Sequence, residues 1–159
     1  MDVLIQERIP GVALAVAWPY LTSTQKHAFK SEARTIVQAL QSLKGPHGYL
    51  SPDFDPCKNK GIFLKENTVL FGNPPPPSEE VAFAHNDLQP SNIIVKDDKI
   101  VGVIDWEMAG YFGARAAKVH SEMRGPNRES LQNAKLSEER IKDMVFWNDL
   151  YDLKDENEK

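Results

Sequence analysis

Residues 85–92 read His85-Asn86-Asp87-Leu88-Gln89-Pro90-Ser91-Asn92, and a second short stretch, Ile104-Asp105-Trp106-Glu107, follows after an apolar run. The first has the spacing H-x-D-x-x-x-x-N, and the second is the end of a hydrophobic strand that closes on an acidic residue. Between them, Asn92 to Val95 is separated from Ile100 to Ile104 by the polar turn Lys96-Asp97-Asp98-Lys99. Two apolar runs across a short polar turn predict a β-hairpin. Such a hairpin returns Asp105 beside Asn92, so that two hard oxygen donors remote in sequence can share one cation.

Phosphoryl transfer needs that combination. It uses a carboxylate at the attacking hydroxyl and oxygen ligands for the Mg²⁺ that neutralises the nucleotide phosphates. Asp87, Asn92 and Asp105 supply the set. A rival reading takes His85, Asp87, Asp105 and Glu107 as the ligands of a divalent-metal hydrolase, but it leaves Asn92 at its spacing unexplained. A purely structural reading makes Asp87 a turn cap, Asp105 a strand-end residue and Trp106 a core residue, and it predicts no metal affinity.

Upstream, Thr22-Ser23-Thr24 offers capping side chains to a helix whose apolar positions Phe29, Ala33, Ile36, Val37, Leu40 and Leu43 share one face, with Gly45-Pro46 as its stop. Val12 to Trp18 predicts one or two helical turns before Pro19, and Val3-Leu4-Ile5 reads as a short strand entering the turn at Ile9-Pro10-Gly11. Residues 45–80 are rich in Pro, Gly, Asn and Asp and contain Pro74 to Pro77, which predicts a long loop insertion with a polyproline segment. Downstream, Ser137-Glu138-Glu139-Arg140 starts a C-terminal helix expected over 137–153, with Ile141, Met144, Val145 and Trp147 as its apolar positions.

Composition sets the outer bounds. A chain of 159 residues with 41% hydrophobic and 26% charged residues buries roughly 68–70% of its unfolded surface, enough for a core without disulfides. A net charge of −4 disfavours non-specific binding to nucleic acid. Cys57 is the single cysteine, and the longest apolar stretch, Val12 to Trp18, is far shorter than a membrane span. With no basic leader after Met1, the expectation is a cytoplasmic protein with no nucleic-acid or membrane partner.

The segment from His85 to Glu107 resembles the catalytic and metal-binding motifs of the aminoglycoside phosphotransferase and choline kinase-like family, which shares the protein-kinase fold. The resemblance implies an α+β, mainly helical fold, with residues 12–159 forming a protein-kinase-like C-terminal lobe that carries a small β-hairpin and its motifs at residues 81–110. It implies Asp87 as catalytic base, Asn92 and Asp105 as magnesium ligands, and His85 as structural support for the loop. Trp106-Glu107 stands where protein kinases have Phe-Gly, which favours the small-molecule branch. Asn86 replaces a common Gly, and asparagine tolerates the positive φ that a glycine there could adopt.

Leu4 to Gly11, reading LIQERIPG, is similar to the hinge between the two lobes of that fold, which makes residues 1–11 a hinge-like strand and linker. The resemblance then implies that the backbone of Glu7 and Ile9 faces the adenine of ATP. A Gly-rich phosphate loop, a strand lysine and its partner glutamate would all precede such a hinge, so the N-terminal lobe is expected to be absent. The expected function is ATP- and Mg²⁺-dependent phosphoryl transfer to a small-molecule hydroxyl acceptor, truncated and weak or absent in the isolated chain. A pseudokinase-like binding module is the alternative. Ile5, Val12, Leu14 and Val16 would be left uncovered, and a second copy of the chain or a separate N-lobe polypeptide is the expected partner.

Overall fold

A computed structural model describes residues 7–44, 81–106, 109–113 and 135–151. The strand at Val3 to Ile5, the 45–80 insertion with Pro74 to Pro77, Cys57, Glu107 and Gly45-Pro46 lie outside the described residues.

The described chain begins with an irregular segment that reaches a two-residue strand, β1 (Val12–Ala13). Gly11 allows that entry, because its φ is +142° and any side chain there would meet the Val95 carbonyl oxygen at 2.5 Å. The anticipated helical turns follow as α1 (Leu14–Ala17) and a 3₁₀ turn at Trp18–Tyr20 that contains Pro19. The long helix, α2 (Ser23–Gln41), starts at Thr22. Thr22 Oγ1 accepts the Gln25 N–H at 3.2 Å and the Thr22 N–H donates to Gln25 Oε1 at 3.0 Å, a reciprocal cap that satisfies two otherwise orphaned donors. Phe29, Ala33 and Val37 are buried as the spacing predicts, whereas Leu43, beyond the helix end, is exposed.

The helix stops before the expected glycine for a tertiary reason. The Ser42 hydroxyl and N–H take up the carbonyls of Ala39 and Gln38. Leu43 then accepts the Phe83 N–H at 3.0 Å, and Lys44 bridges to Ala82, so pairing with the next strand draws the chain out of the helix.

That strand is β2 (Val81–Ala84), which delivers His85 at its end. A 3₁₀ turn at Pro90–Asn92 leads into β3 (Ile93–Lys96) and β4 (Lys99–Val103), the predicted hairpin. Asp97 and Asp98 make its two-residue turn with φ of 51° and 57°, the left-handed pair of a type I′ connection. A last strand, β5 (Gly110–Gly113), has no counterpart in the sequence reading. The strands form two antiparallel sheets, one ordered β1-β3-β4 and one of β2 with β5. Helix exceeds strand among the described residues, and the fold is α+β as expected.

The C-terminal helix is shorter than expected. It runs as α3 (Glu138–Val145), capped by Ser137, whose side chain accepts the Arg140 N–H. After it the chain continues in turns, with Asn148 bonded to Val145 and Leu150 to Trp147. The Lys30 ammonium takes the Phe146 carbonyl, the acceptor that the Leu150 N–H would have used had the helix continued. Those turns place Trp147 and Leu150 in the core beside Leu14, Phe29, Val37 and Ile93. Leu14 is fully buried, which corrects its expected place on an uncovered surface, while Val12 and Val16 are exposed as anticipated. Among the described residues no helix is long and apolar enough to cross a membrane.

Candidate functional site

His85 organises the loop. A backbone N–H can only donate, so Asp87 N bonding to His85 Nδ1 at 3.3 Å makes Nδ1 the acceptor, and the proton sits on Nε2, which donates to the Ile104 carbonyl at 2.9 Å. Burial is the main cause that holds His85 below the ordinary histidine pKa. Its bond to Ile104 and the carboxylates of Asp87 and Asp105 oppose that shift. Both nitrogens of the neutral ring are thus engaged within the loop. Among the described residues, which leave out Glu107, no three of His, Cys, Asp and Glu gather as a metal-binding set.

Around that ring the loop bonds to itself. Gln89 N donates to the Asp87 carbonyl at 2.9 Å and Asn92 N to the Gln89 carbonyl at 2.9 Å. Asn92 Nδ2 donates both to the Asp87 carbonyl and to Asp87 Oδ2, each at 2.9 Å. The sequence therefore places Asp87 and Asn92 in direct contact across five residues. Two acceptors for Nδ2 fix the amide orientation, so Oδ1 points the other way, where Ser91 Oγ donates to it at 3.3 Å.

Asp105 is connected to the same loop through the backbone of its neighbour Ile104. Ile104 N donates to the Asn92 carbonyl at 2.9 Å while the Ile104 carbonyl accepts from His85. The residue before Asp105 is thereby tied to both halves of the motif. Asp105 itself has φ of 64° and is exposed. The exposed Asp105 carboxylate and the amide oxygen of the buried Asn92 are hard donors of the kind that suits Mg²⁺, which binds through one or two protein oxygens and keeps waters or phosphates for the rest.

Of the hinge residues, Glu7 is exposed and Ile9 half-buried. Ile9 lies over Gly102 of β4, where an added Cβ would meet its Cδ1 at 2.6 Å, so this segment packs on the hairpin that carries the site.

Four contributors escaped the sequence reading. Trp147 Nε1 donates to the Leu88 carbonyl at 2.9 Å and the Tyr151 hydroxyl accepts the Leu88 N–H at 3.4 Å, so both polar backbone groups of Leu88 are held by aromatics from the C-terminal turns. Burial, the main cause, pushes the Tyr151 hydroxyl up to about 12, which keeps it a neutral phenol. Trp106, read as a core residue only in the structural alternative, is 42% exposed and lies with its ring centroid 4.6 Å from that of His85. Gln89 Nε2 donates to Asp87 Oδ1. Trp106 and Gln89 lay inside the two quoted motifs, and for Gln89 a polar residue two positions from Asp87 was the available signal.

With this geometry in place, comparison with known families gives one match: the model described as the phosphotransferase enzyme family covers residues 3–112. No curated protein matches the chain.

Proposed function

Because the chain belongs to the phosphotransferase enzyme family, we propose that it carries the base and the metal ligands for ATP- and Mg²⁺-dependent phosphoryl transfer to a small-molecule hydroxyl. The observation that supports this reading is the contact of Asp87 with Asn92 at 2.9 Å, with Ile104, the residue before Asp105, bonded to the Asn92 carbonyl.

In this reading Asp87 accepts the acceptor's hydroxyl proton as that oxygen bonds to the transferred phosphorus and the bond to the departing diphosphate breaks. Asn92 Oδ1 and the Asp105 carboxylate hold the metal, and His85 fixes the loop without exchanging a proton. ATP with Mg²⁺, when bound, supplies the phosphoryl group and neutralises its charge. The backbone of Glu7 and Ile9 is the proposed adenine contact, supported by the packing of Ile9 on the sheet that leads from Asn92 to Asp105.

Transfer assayed on these 159 residues is expected to be slow, because a γ-phosphate exposed to water is poorly stabilised. Calorimetry with ATP–Mg²⁺ and a transfer assay on amino alcohols and aminoglycosides test this. Weak binding and slow transfer abolished by Asp87→Ala are expected. Transfer indifferent to that substitution would overturn the assignment of the base, and fast transfer would overturn the expected rate.

A further inference from the structure

Both carboxylate oxygens of Asp87 are engaged by side-chain amides. Asn92 Nδ2 donates to Oδ2 at 2.9 Å, and Gln89 Nε2 donates to Oδ1. Both donors lie C-terminal to Asp87, two and five residues beyond it, and they differ in setting. Asn92 is buried and anchored to the Asp87 carbonyl as well, whereas Gln89 is exposed. A single donor leaves a carboxylate free to rotate about its terminal torsion, which is broad and roughly two-fold. Donors on both oxygens fix its plane.

We infer that Gln89 is a positioning residue for Asp87, closing an Asn92–Asp87–Gln89 amide clamp that orients the carboxylate toward the acceptor hydroxyl. The inference rests on the reading of Asp87 as the base. Each carboxylate oxygen has two lone-pair sites, so Oδ1 can keep the Gln89 amide and still receive the hydroxyl proton. Orientation of a general base acts on the chemical step more than on binding, because the acceptor is held by other groups. Gln89 is exposed and outside the core, so its side chain contributes to the site without supporting the fold.

The full chain serves for the test. Heteronuclear NMR of the side-chain amides, with Gln89→Met used to assign the signal, should show the Gln89 amide protons displaced from the position of a free glutamine and returned to it by Asp87→Ala. In the transfer assay Gln89→Met, which keeps the length but removes the donor, should lower kcat about tenfold with KM changed less than about twofold and an unaltered melting temperature. A Gln89 amide already at the free position and unmoved by Asp87→Ala overturns the clamp. So does an unchanged kcat in Gln89→Met, or a rise confined to KM, where the native chain is active. If the native chain transfers nothing while the amide shift depends on Asp87, the clamp stands and the phosphotransfer reading fails.

Discussion

Asn86 and Asp105 flank the site with φ of 65° and 64°, a region that side chains with a Cβ rarely adopt and that asparagine and aspartate tolerate best. The positive φ anticipated at Asn86 is therefore present, and it turns the chain sharply between His85 and Asp87. The Asn86 amide is buried with neither polar atom hydrogen-bonded. At the next position back, His85 links the loop to pH. Its pKa in the fold lies below the 6.5 of the free side chain, chiefly through burial. The unfolded chain then binds the proton more readily, so the stability owed to neutral His85 is complete above about pH 6.5 and declines as the pH falls below that value. Urea midpoints of the native chain and of His85→Gln, measured on both sides of about pH 6.5, should differ most above it and converge below it. A gap that widens on acidification would contradict the neutral ring.

The hairpin is the element that brings Asp105 back to Asn92, and its turn carries local strain. Asp97 and Asp98 both occupy the left-handed region, and Asp98 Oδ1 also accepts from Gln25 Nε2 at 2.8 Å, docking the turn on α2. Asp97 is exposed, which makes it the cleaner probe of the turn. Glycine there removes the conformational penalty while a β-branched residue increases it, by about 1–2 kcal/mol for a residue forced left-handed. Asp97→Gly should keep or raise the unfolding free energy and Asp97→Val should lower it by about 1 kcal/mol, read from denaturant curves. Equal stability of the two variants would show that the turn is not held in this geometry. The shortened α3 makes the complementary point: past Val145 the backbone bonds in tighter turns, and Lys30 from α2 takes the Phe146 carbonyl that a continued helix would have used.

Across the whole molecule the core crosses the limit of the family match. That match ends at residue 112, yet Trp147 and Leu150 pack with Leu14, Phe29 and Leu88 in one buried cluster. Trp147 also meets Trp18 edge to face with centroids 5.7 Å apart. Leu150 has no exposed surface, so Leu150→Ala should cost about 2–5 kcal/mol, the range for a large-to-small change at a closed site. The loss should also loosen the loop at Leu88, because the same turns carry the Trp147 and Tyr151 contacts to it. Calorimetric melting with amide hydrogen exchange at Leu88 measures both. Little loss of stability, or unchanged exchange at Leu88, would separate the C-terminal turns from the site.

The sequence by itself determined the local parts of this protein. The polar turn between two apolar runs, the cap at Thr22 and the buried positions Phe29, Ala33 and Val37 of α2 each depend on residues a few positions apart, and their readings agree with the structure because short-range sterics and hydrogen bonding fix them. Only the tertiary structure decided the rest. It paired β5 with β2, ended α2 before Gly45 and α3 at Val145, buried Leu14, and set Trp147 and Tyr151 on the backbone of Leu88. Each of those outcomes depends on a donor or an apolar surface that arrives from another part of the chain, as Lys30 does for Phe146 across 116 positions, and no periodicity or spacing within one segment encodes that arrival.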